Sequence, residues 1–295
     1  MKNPVALIAG ALSAMLIVGN AISPALAYDD RPQFVDWSKV ESGECLVAKN
    51  VWGFKACLKG DKNGYWNVGF IGDSHMRQYF PPLDILAQRY HWKVTYISKS
   101  ACTVGDWATN PIGKRRPSCG SWNRHLQKYL RTHPAFDLIV NSNSSLVSHG
   151  NKSQAKAYRT LVQSQLNRGT SWLVIKDNPK PKADFLQCIA AAKAKAQSLC
   201  TRSLTEALDP PDILPAAISD LPRVHVADFQ RYICPKDICP AVIHGVQVYR
   251  DFSHLSKNFS QMLFRHVDMA IPDVFKHKPK RNSPYQAANF KKRKN

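Results

Sequence analysis

Residues 66–75 read WNVGFIGDSH, and this stretch decides the fold. Its first six residues, up to Ile71, are mostly apolar and are followed by Gly72, a pattern typical of a short buried strand. Apolar residues then recur at helical spacing, and Pro81 and Pro82 stand where the first turn of a helix tolerates proline. The sequence therefore predicts a strand, a tight turn at Gly72 and a helix, with Ser74 between the two elements.

The same alternation of strands and helices continues along the chain. Further strands are predicted at residues 93–98, 136–140, 172–175, 224–227 and 246–249, and helices at 122–131, 154–166, 183–197 and 255–269. Strands that alternate with helices imply right-handed crossovers and a mostly parallel sheet covered on both faces. We expect an α/β fold, a three-layer α/β/α sandwich over residues 28–272, with an irregular, disulfide-stapled lead-in up to about residue 60.

The first 27 residues have the features of an export signal. Lys2 precedes an apolar stretch from Val5 to Ile22, and Ala25-Leu26-Ala27 has the small residues of a cleavage site. The alternative is an uncleaved anchor, since an apolar stretch of this length could just span a bilayer. We expect cleavage after Ala27 and therefore an exported protein, periplasmic or extracellular at the cell surface.

Eight cysteines fit an oxidising compartment, where disulfides form and persist. Their number allows 105 pairings, but in chain order they fall into four local couples, so sequential pairing is the economical expectation. The couples are Cys45 and Cys57, Cys102 and Cys119, Cys188 and Cys200, and Cys234 and Cys239. The alternative is a metal site, for instance Cys234 and Cys239 with His244, but the CxxC spacing usual for structural zinc is absent. No metal site is predicted.

The chain carries a formal net charge of +20, which favours anionic partners such as acidic glycans, membrane headgroups or nucleic acid. No nucleic-acid-binding motif accompanies this charge, so we expect no nucleic acid partner.

The segment 273–295 is predicted to be a basic, disordered tail, because residues 276–295 hold eight Lys or Arg and no acidic residue. The tail is either simply solvated or an electrostatic tether to an anionic surface.

Ser74 lies where a nucleophile would be well placed, after a buried strand and before a helix. Gly72 allows the tight turn, and the N-terminus of a helix offers N–H groups to a developing oxyanion. Asp and Ser are also ordinary helix-capping residues, so the Gly-Asp-Ser triplet alone is weak evidence.

A second polar stretch, DFSHLS at residues 251–256, could supply the base that a serine needs. The imidazole of His254 can take the serine proton if the carboxylate of Asp251 holds its other ring nitrogen. The alternative is that Asp251 caps the final helix. Both motifs follow predicted strands, and the carboxyl ends of strands are where active sites form in open α/β sheets. We predict a catalytic triad of Ser74, Asp251 and His254, lined by Asp73 and His75.

The motifs GDSH and D-x-x-H-L-S resemble those of the SGNH/GDSL hydrolase superfamily, and more narrowly those of the C-terminal SGNH domain of bacterial acyltransferase-3 membrane proteins. Further residues follow the pattern of that domain over about residues 55–270. They are Lys99, Ser100, Ala101, Cys102, Cys119, Trp122, Cys188, Cys200, Ile233, Cys234, Pro235, Cys239, Val248, Tyr249 and Arg250. The resemblance implies a flavodoxin-like sheet and O-acyl transfer or ester hydrolysis on envelope glycans. It makes Ser74 the nucleophile, His254 the general base and Asp251 the residue that orients it. No cofactor is predicted, because the chain has neither a G-x-G-x-x-G nor a P-loop motif.

The oxyanion hole departs from the family pattern. One donor is expected to be the Ser74 N–H, but the Gly-x-Asn-Asp block of the superfamily is replaced by the residues NSNS at 141–144. Asn143 is the expected side-chain donor, with Asn141 as the second choice. The glycine of the superfamily's second sequence block is also missing, and the loop at Ser100-Ala101 is the only candidate to take its place.

The multi-spanning acyltransferase-3 module is not part of this sequence. The acyl group would therefore come from a separate membrane acyl-donor protein, or water would be the acceptor. The leading hypothesis is an O-acyltransferase that acts on cell-envelope polysaccharide through an acyl-enzyme at Ser74. The alternatives are a carbohydrate O-acetylesterase with the same triad and, from another class, a non-catalytic protein that binds an anionic glycan.

Overall fold

The computed structural model of the chain describes residues 45–105, 117–148 and 151–279. The predicted signal peptide, residues 1–27, and the part of the predicted tail beyond residue 279 lie outside these ranges. The start of the predicted tail is not disordered, because Asp273–Lys276 form a 3-10 helix and Phe275 is fully buried. The strands in chain order are β1 (Leu46–Val47), β2 (Cys57–Gly60), β3 (Trp66–Gly72), β4 (Trp92–Lys99), β5 (Leu138–Ser142), β6 (Ser171–Ile175), β7 (Thr201–Ser203), β8 (Val224–Ala227), β9 (Ile238–Pro240), β10 (Val242–Ile243) and β11 (Val246–Gln247).

Helices follow most of the strands of the main sheet. In chain order they are α1 (Ser74–Arg77), α2 (Phe80–Arg89), α3 (Pro117–Thr132), α4 (Ser145–Ser148), α5 (Lys152–Leu166), α6 (Phe185–Ala192), α7 (Ala196–Leu199), α8 (Leu204–Ala207), α9 (Gln230–Ile233), α10 (Lys257–Met262) and α11 (Phe264–Ala270). In the described residues, no helix has both the length and the apolar character needed to cross a bilayer.

The main sheet has the strand order β4-β3-β5-β6-β8, and these five strands are parallel. Numbered among themselves in chain order, they run 2-1-3-4-5, the flavodoxin-like order. The order reverses beside β3, where the chain first goes to β4 and later returns to β5 on the other side. Ligands bind at such a switch point in open α/β sheets, and β3 ends there at Gly72, two residues before Ser74.

Two apolar cores cover the two faces of this sheet. Because side chains of a strand point alternately to opposite faces, Phe70 packs in one core with Leu83 of α2, and Ile71 packs in the other with Leu126 of α3. This arrangement confirms the predicted three-layer α/β/α sandwich with a mostly parallel, flavodoxin-like sheet.

Gly72 allows the two central strands to meet closely at the switch point. A Cβ atom at this position would lie 2.2 Å from the carbonyl oxygen of Ser142 and 2.6 Å from Cβ of Met76. Any larger side chain would force β3 away from β5 or from α1, so the glycine fixes the path of the chain into Ser74.

The lead-in is more regular than predicted. It supplies β1, which pairs in parallel with Ser98 and Lys99 of β4, and β2, which pairs antiparallel with residues 93–96 of the same strand. The ammonium group of Lys99 is almost buried and donates hydrogen bonds of 2.8 Å to the carbonyl oxygens of Ala48 and Val51. These bonds tie the lead-in to the sheet.

The predicted strand at residues 246–249 is wrong as a strand of the main sheet. Within this segment, Val246–Gln247 pairs antiparallel with Val242–Ile243 in a separate hairpin, and Tyr249 forms an isolated antiparallel bridge with Leu255. His244 and Gly245 have positive φ angles of 49° and 75° and make the turn between the two strands. The apolar run therefore pairs with a neighbouring segment of the chain. As a result, the loop that carries Asp251 follows a hairpin strand and not a strand of the main sheet.

Two predicted helices are also divided. The helix predicted at 183–197 is interrupted at Lys193, where φ is 49°. The helix predicted at 255–269 becomes α10 and α11, and α10 is capped by the Ser256 hydroxyl, which accepts from the N–H of Phe259. Asp251 is therefore not the cap of the final helix.

The eight cysteines form the four sequential disulfides that their spacing predicted. They join Cys45 to Cys57, Cys102 to Cys119, Cys188 to Cys200, and Cys234 to Cys239. Cys234 and Cys239 are thus bonded to each other rather than available to a metal. The described residues contain no group of three or more His, Cys, Asp or Glu side chains that could hold a metal ion.

Candidate active site

The polar residues that follow β3 and β5 are tied together by Asp73. Its side chain is fully buried and accepts hydrogen bonds from the N–H of His75, at 2.8 Å, and from the N–H of Ser144, at 2.9 Å. Burial raises the pKa of this carboxyl group. Asp73 was expected to line the site, but it lies beneath it and fixes the turn that carries Ser74 against the loop after β5.

Ser74, His254 and Asp251 form one hydrogen-bonded chain. The Ser74 hydroxyl oxygen lies 2.8 Å from Nε2 of His254, although the two residues are 180 positions apart. Nδ1 of His254 lies 2.9 Å from each carboxylate oxygen of Asp251. Since Nδ1–H donates to this carboxylate, Nε2 is the ring nitrogen that can accept the serine proton.

Asp251 is held as a carboxylate by its own loop. Although partial burial opposes ionisation, the N–H groups of Ser253 and His254, at 3.0 and 2.9 Å, and the His254 ring lower the pKa of Asp251 well below its usual range. A carboxylate in this state fixes the tautomer of the imidazole and stabilises the imidazolium that forms when the ring takes a proton.

His254 is poised as a neutral base. Burial disfavours its charged form, and the neighbouring His75 ring acts in the same direction, so that the pKa of His254 is lowered to about 4 despite the Asp251 carboxylate. The ring is therefore unprotonated at neutral pH and free to accept a proton from Ser74.

The loop that carries Asp251 and His254 is anchored by two amide side chains that the sequence did not reveal. Gln78, just after α1, accepts from the N–H of Leu255 at 2.9 Å and donates to Oδ1 of Asn178 at 2.8 Å. Asn178 in turn donates to the carbonyl oxygen of Ser253 at 2.9 Å. This amide pair compensates for the missing strand, because it joins the loop to residues that do follow strands of the sheet.

We expect Asn178→Ala to lower kcat about tenfold to a hundredfold, because misplacement of a reacting group by about 1 Å costs rate on that scale. The KM should change less, since Asn178 is buried and holds the loop from below. The measurement is steady-state hydrolysis of an activated acetyl ester.

Asn67→Ala is the matched control for this variant. Asn67 also donates a side-chain N–H to a backbone carbonyl, that of Ala135 at 3.2 Å, but it lies near the start of β3 rather than at its end. Equal loss of kcat in both variants would contradict a specific role for the anchoring amide.

A second charged cluster lies against the triad. Nδ1 of His75 donates to Oδ1 of Asp177 at 2.5 Å, and the ammonium group of Lys180 lies 2.6 Å from Oδ2 of the same carboxylate. The ring centroids of His75 and His254 are 4.5 Å apart. His75 was predicted to line the site, whereas Asp177 and Lys180 were missed. The polar pair Asp177 and Asn178 directly after the buried strand β6 was the available indication, by the same rule that singled out Ser74.

Asn141, near the end of β5, and Asn143, just after it, are hydrogen-bonded to each other. Nδ2 of Asn143 donates to Oδ1 of Asn141 at 3.0 Å, and Nδ2 of Asn141 donates to the carbonyl oxygen of Ile71 at 2.6 Å. Asn141 is fully buried and joins β5 to β3. Asn143 uses one of its two side-chain N–H groups in this bond, so the other can serve an oxyanion.

The other two predicted oxyanion donors, Ser74 and Ser100, differ in the hydrogen bonding of their backbone N–H groups. The N–H of Ser74 belongs to the first residue of α1 and has no acceptor within the helix, as required of an oxyanion donor. The N–H of Ser100 donates to the carbonyl oxygen of Val47 at 2.9 Å. An oxyanion contact from Ser100 would therefore have to come from its hydroxyl group.

A family model described as the SGNH domain (fused to AT3 domains) matches residues 44–268. No curated protein matches the chain. Among solved structures, the periplasmic domain of the Salmonella ser. Paratyphi A lipopolysaccharide acetyltransferase has a TM-score of 0.56 and 14% sequence identity, over 83% of this chain and 97% of that one. At 14% sequence identity, this similarity shows a shared fold and nothing more.

Two further solved structures are more distant. A protein of Slackia heliotrinireducens described as an SGNH hydrolase has a TM-score of 0.44 at 14% identity, over 71% of this chain and all of that chain (100%). A carbohydrate acetylesterase family member from Sinorhizobium meliloti has a TM-score of 0.39 at 14% identity, over 69% of this chain and 96% of that chain.

Proposed function

Because this chain belongs to the SGNH domain family, we propose that it is an exported, serine-dependent O-acyltransferase that acts on cell-envelope polysaccharide. Membership makes it an SGNH-type O-acyltransferase or ester hydrolase; the acceptor, the location and the residue roles are the proposal. The observation that carries the residue roles is the chain of hydrogen bonds from Ser74 through His254 to Asp251.

In the first half-reaction, the Ser74 oxygen attacks the carbonyl carbon of an acyl ester or thioester donor, and its proton passes to Nε2 of His254. The carbonyl electrons move onto oxygen, where the Ser74 N–H and the side chain of Asn143 would donate hydrogen bonds. Collapse of this intermediate expels the donor's alcohol or thiol, which takes the proton from His254. The acyl group is left as an ester on Ser74.

In the second half-reaction, a hydroxyl group attacks the ester carbonyl and gives its proton to His254. Collapse breaks the bond to Ser74, which regains the proton, and the acyl group leaves on the acceptor. With a sugar hydroxyl as acceptor the reaction is acyl transfer, and with water it is hydrolysis. The same three residues serve both outcomes.

Three observations favour a polysaccharide acceptor outside the cytoplasm. The four disulfides suit an oxidising compartment. The net charge of +20 suits an anionic glycan. The family is described as fused to AT3 domains, so we propose that a separate membrane protein supplies the acyl group.

The second candidate is a carbohydrate O-acetylesterase. It is favoured by the partial exposure of Ser74 at the surface, where water can reach the acyl ester. A third possibility, from another class, is a protein that binds anionic glycan without catalysis.

The test is to incubate the purified chain with an activated acetyl ester and an acidic envelope polysaccharide, and to measure three products. We expect an acetyl adduct on the peptide that contains Ser74 and acetyl ester on the polysaccharide. Free acetate without acetylated polysaccharide would favour the esterase. Absence of the Ser74 adduct, with retained polysaccharide binding, would overturn the catalytic proposal in favour of the binding protein.

A further inference from the structure

A second histidine–carboxylate pair lies directly behind the catalytic histidine, and the acyl-transfer steps do not use it. His75, Asp177 and Lys180 are all buried, with side-chain exposures of 2%, 1% and 6%. Charged groups are rarely buried at this depth unless they are paired. Their position beside His254 therefore calls for a physical explanation.

The cluster is built around the Asp177 carboxylate, which is surrounded by donors. Besides His75 and Lys180, the N–H of Ser145 donates to it at 2.7 Å and the N–H of Asn178 at 2.9 Å. Although burial opposes ionisation, the charges of His75 and Lys180 lower the pKa of Asp177 far below its usual range. A permanent anion at this point holds Nδ1–H of His75 and fixes the orientation of its ring.

The fixed ring of His75 then faces the ring of His254, with centroids 4.5 Å apart. His254 is also faced by Asp251 and Arg250 of its own loop, and His75 by Asp73 as well as by Asp177 and Lys180. On the side of His254 that meets α1, its neighbours thus include a second imidazole as well as the Ser74 hydroxyl. A positive charge on His254 there loses hydration and meets a ring that is itself paired to an anion as a proton donor.

We propose that His75, held by Asp177 and Lys180, is a positioning residue that keeps His254 in its neutral, proton-accepting form as the surroundings become acidic. The inference rests on the proposed function, in which His254 is the base for Ser74. It extends that function to a compartment whose pH is not buffered like that of the cytoplasm.

The sign of the effect follows from the chemistry of the base. Activity requires neutral His254, so the rate falls as the pH drops through the pKa of this residue. Burial and the His75 ring place that pKa at about 4, below the ordinary histidine value of about 6.5. Removing His75 should therefore move the acid limb of the pH profile upward.

The experiment compares the wild type with His75→Gln and His75→Phe. The glutamine can still donate to Asp177 without an imidazole, and the phenyl ring keeps the packing against His254. The readout is the rate at which a fluorophosphonate labels Ser74 from mildly alkaline to acidic buffer, because this reaction needs no natural substrate. In it the Ser74 oxygen bonds to phosphorus, fluoride leaves and the proton passes through His254 to solvent.

We expect the midpoint of the acid limb of the pH–rate profile to move to a pH about one unit higher in both variants. The rate on the acid side is then lowered up to about tenfold. The loss of rate should be largest in acid and should diminish toward mildly alkaline buffer, where His254 is neutral in every variant. An NMR titration of the His254 ring gives the same shift without activity, and thermal melting shows whether the variants fold.

The control is His91→Gln. His91 Nδ1 lies 2.8 Å from Oδ2 of Asp61, a histidine–carboxylate pair on the surface and away from the triad. The acid limb should not move in this variant. An unmoved limb in folded His75 variants, or an equal loss of rate at every pH, would overturn the inference. Absence of Ser74 labelling in the wild type would instead overturn the proposed function.

Discussion

Replacement of Ser74 by alanine is expected to abolish acyl-enzyme formation and to lower turnover of an acetyl ester by about 10³- to 10⁶-fold, the range seen when a serine nucleophile is removed. The reason is that neither His254 nor Asp251 can form the covalent ester. The side chain of Ser74 makes its hydrogen bond to His254 and no other among the described residues. The melting temperature should therefore change little, so loss of activity will not reflect loss of the fold.

Ser198→Ala is the matched control for this substitution. Ser198 is exposed, and its hydroxyl donates only to the carbonyl oxygen of Lys195 at 3.0 Å. It should leave both labelling and turnover unchanged. Substantial esterase activity in the Ser74→Ala protein would show that another group is the nucleophile and would remove the basis of the proposed mechanism.

Asp177→Asn is expected to have the largest effect on stability, a loss of about 3–5 kcal/mol in the free energy of unfolding. The substitution keeps the shape of the side chain but leaves the ammonium group of Lys180 buried, 2.6 Å from an uncharged group. The measurement is chemical denaturation at neutral pH. Lys180→Met in the same background should recover part of the loss, because it removes the unpaired charge.

The pH dependence of this loss has a definite sign. The pKa of Asp177 is lower in the folded protein than in the unfolded chain, so its stabilisation is fully present above the unfolded value of about 3.9 and declines as the pH falls below it. The difference between wild type and Asp177→Asn should therefore be constant from neutral pH to mild acid and shrink only in stronger acid. Asp273→Asn, at an exposed pair with Lys276, should cost less than about 1 kcal/mol. A comparable loss in both variants would contradict the importance of burial.

The fold was largely predictable from the sequence, because its main strands are short apolar runs that end in polar or glycine residues. The run that ends at Gly72 and the helix after it appear where expected. The error at residues 246–249 has a physical cause. An apolar run of four residues has the same composition whether it enters a parallel sheet or pairs with the neighbouring Val242–Ile243. The turn that joins the two strands of this hairpin depends on positive φ angles at His244 and Gly245, which could not be predicted from the sequence.

The candidate site was predictable only in its reacting groups. Ser74, Asp251 and His254 belong to residue types and spacings that chemistry requires, so they could be recognised. Gln78 and Asn178 act through single hydrogen bonds to backbone atoms far along the chain. Such contacts depend on how the loops pack and leave no periodic pattern in the sequence.

All four disulfides join cysteines that are close neighbours in the chain, with separations of 12, 17, 12 and 5 residues. None of them links the half of the protein that carries the nucleophile to the half that carries the base. Covalent cross-links thus stiffen individual loops, while the alignment of the reacting groups across the molecule relies entirely on non-covalent packing. We therefore expect a reductant to loosen the individual loops before it disturbs the alignment of the catalytic residues.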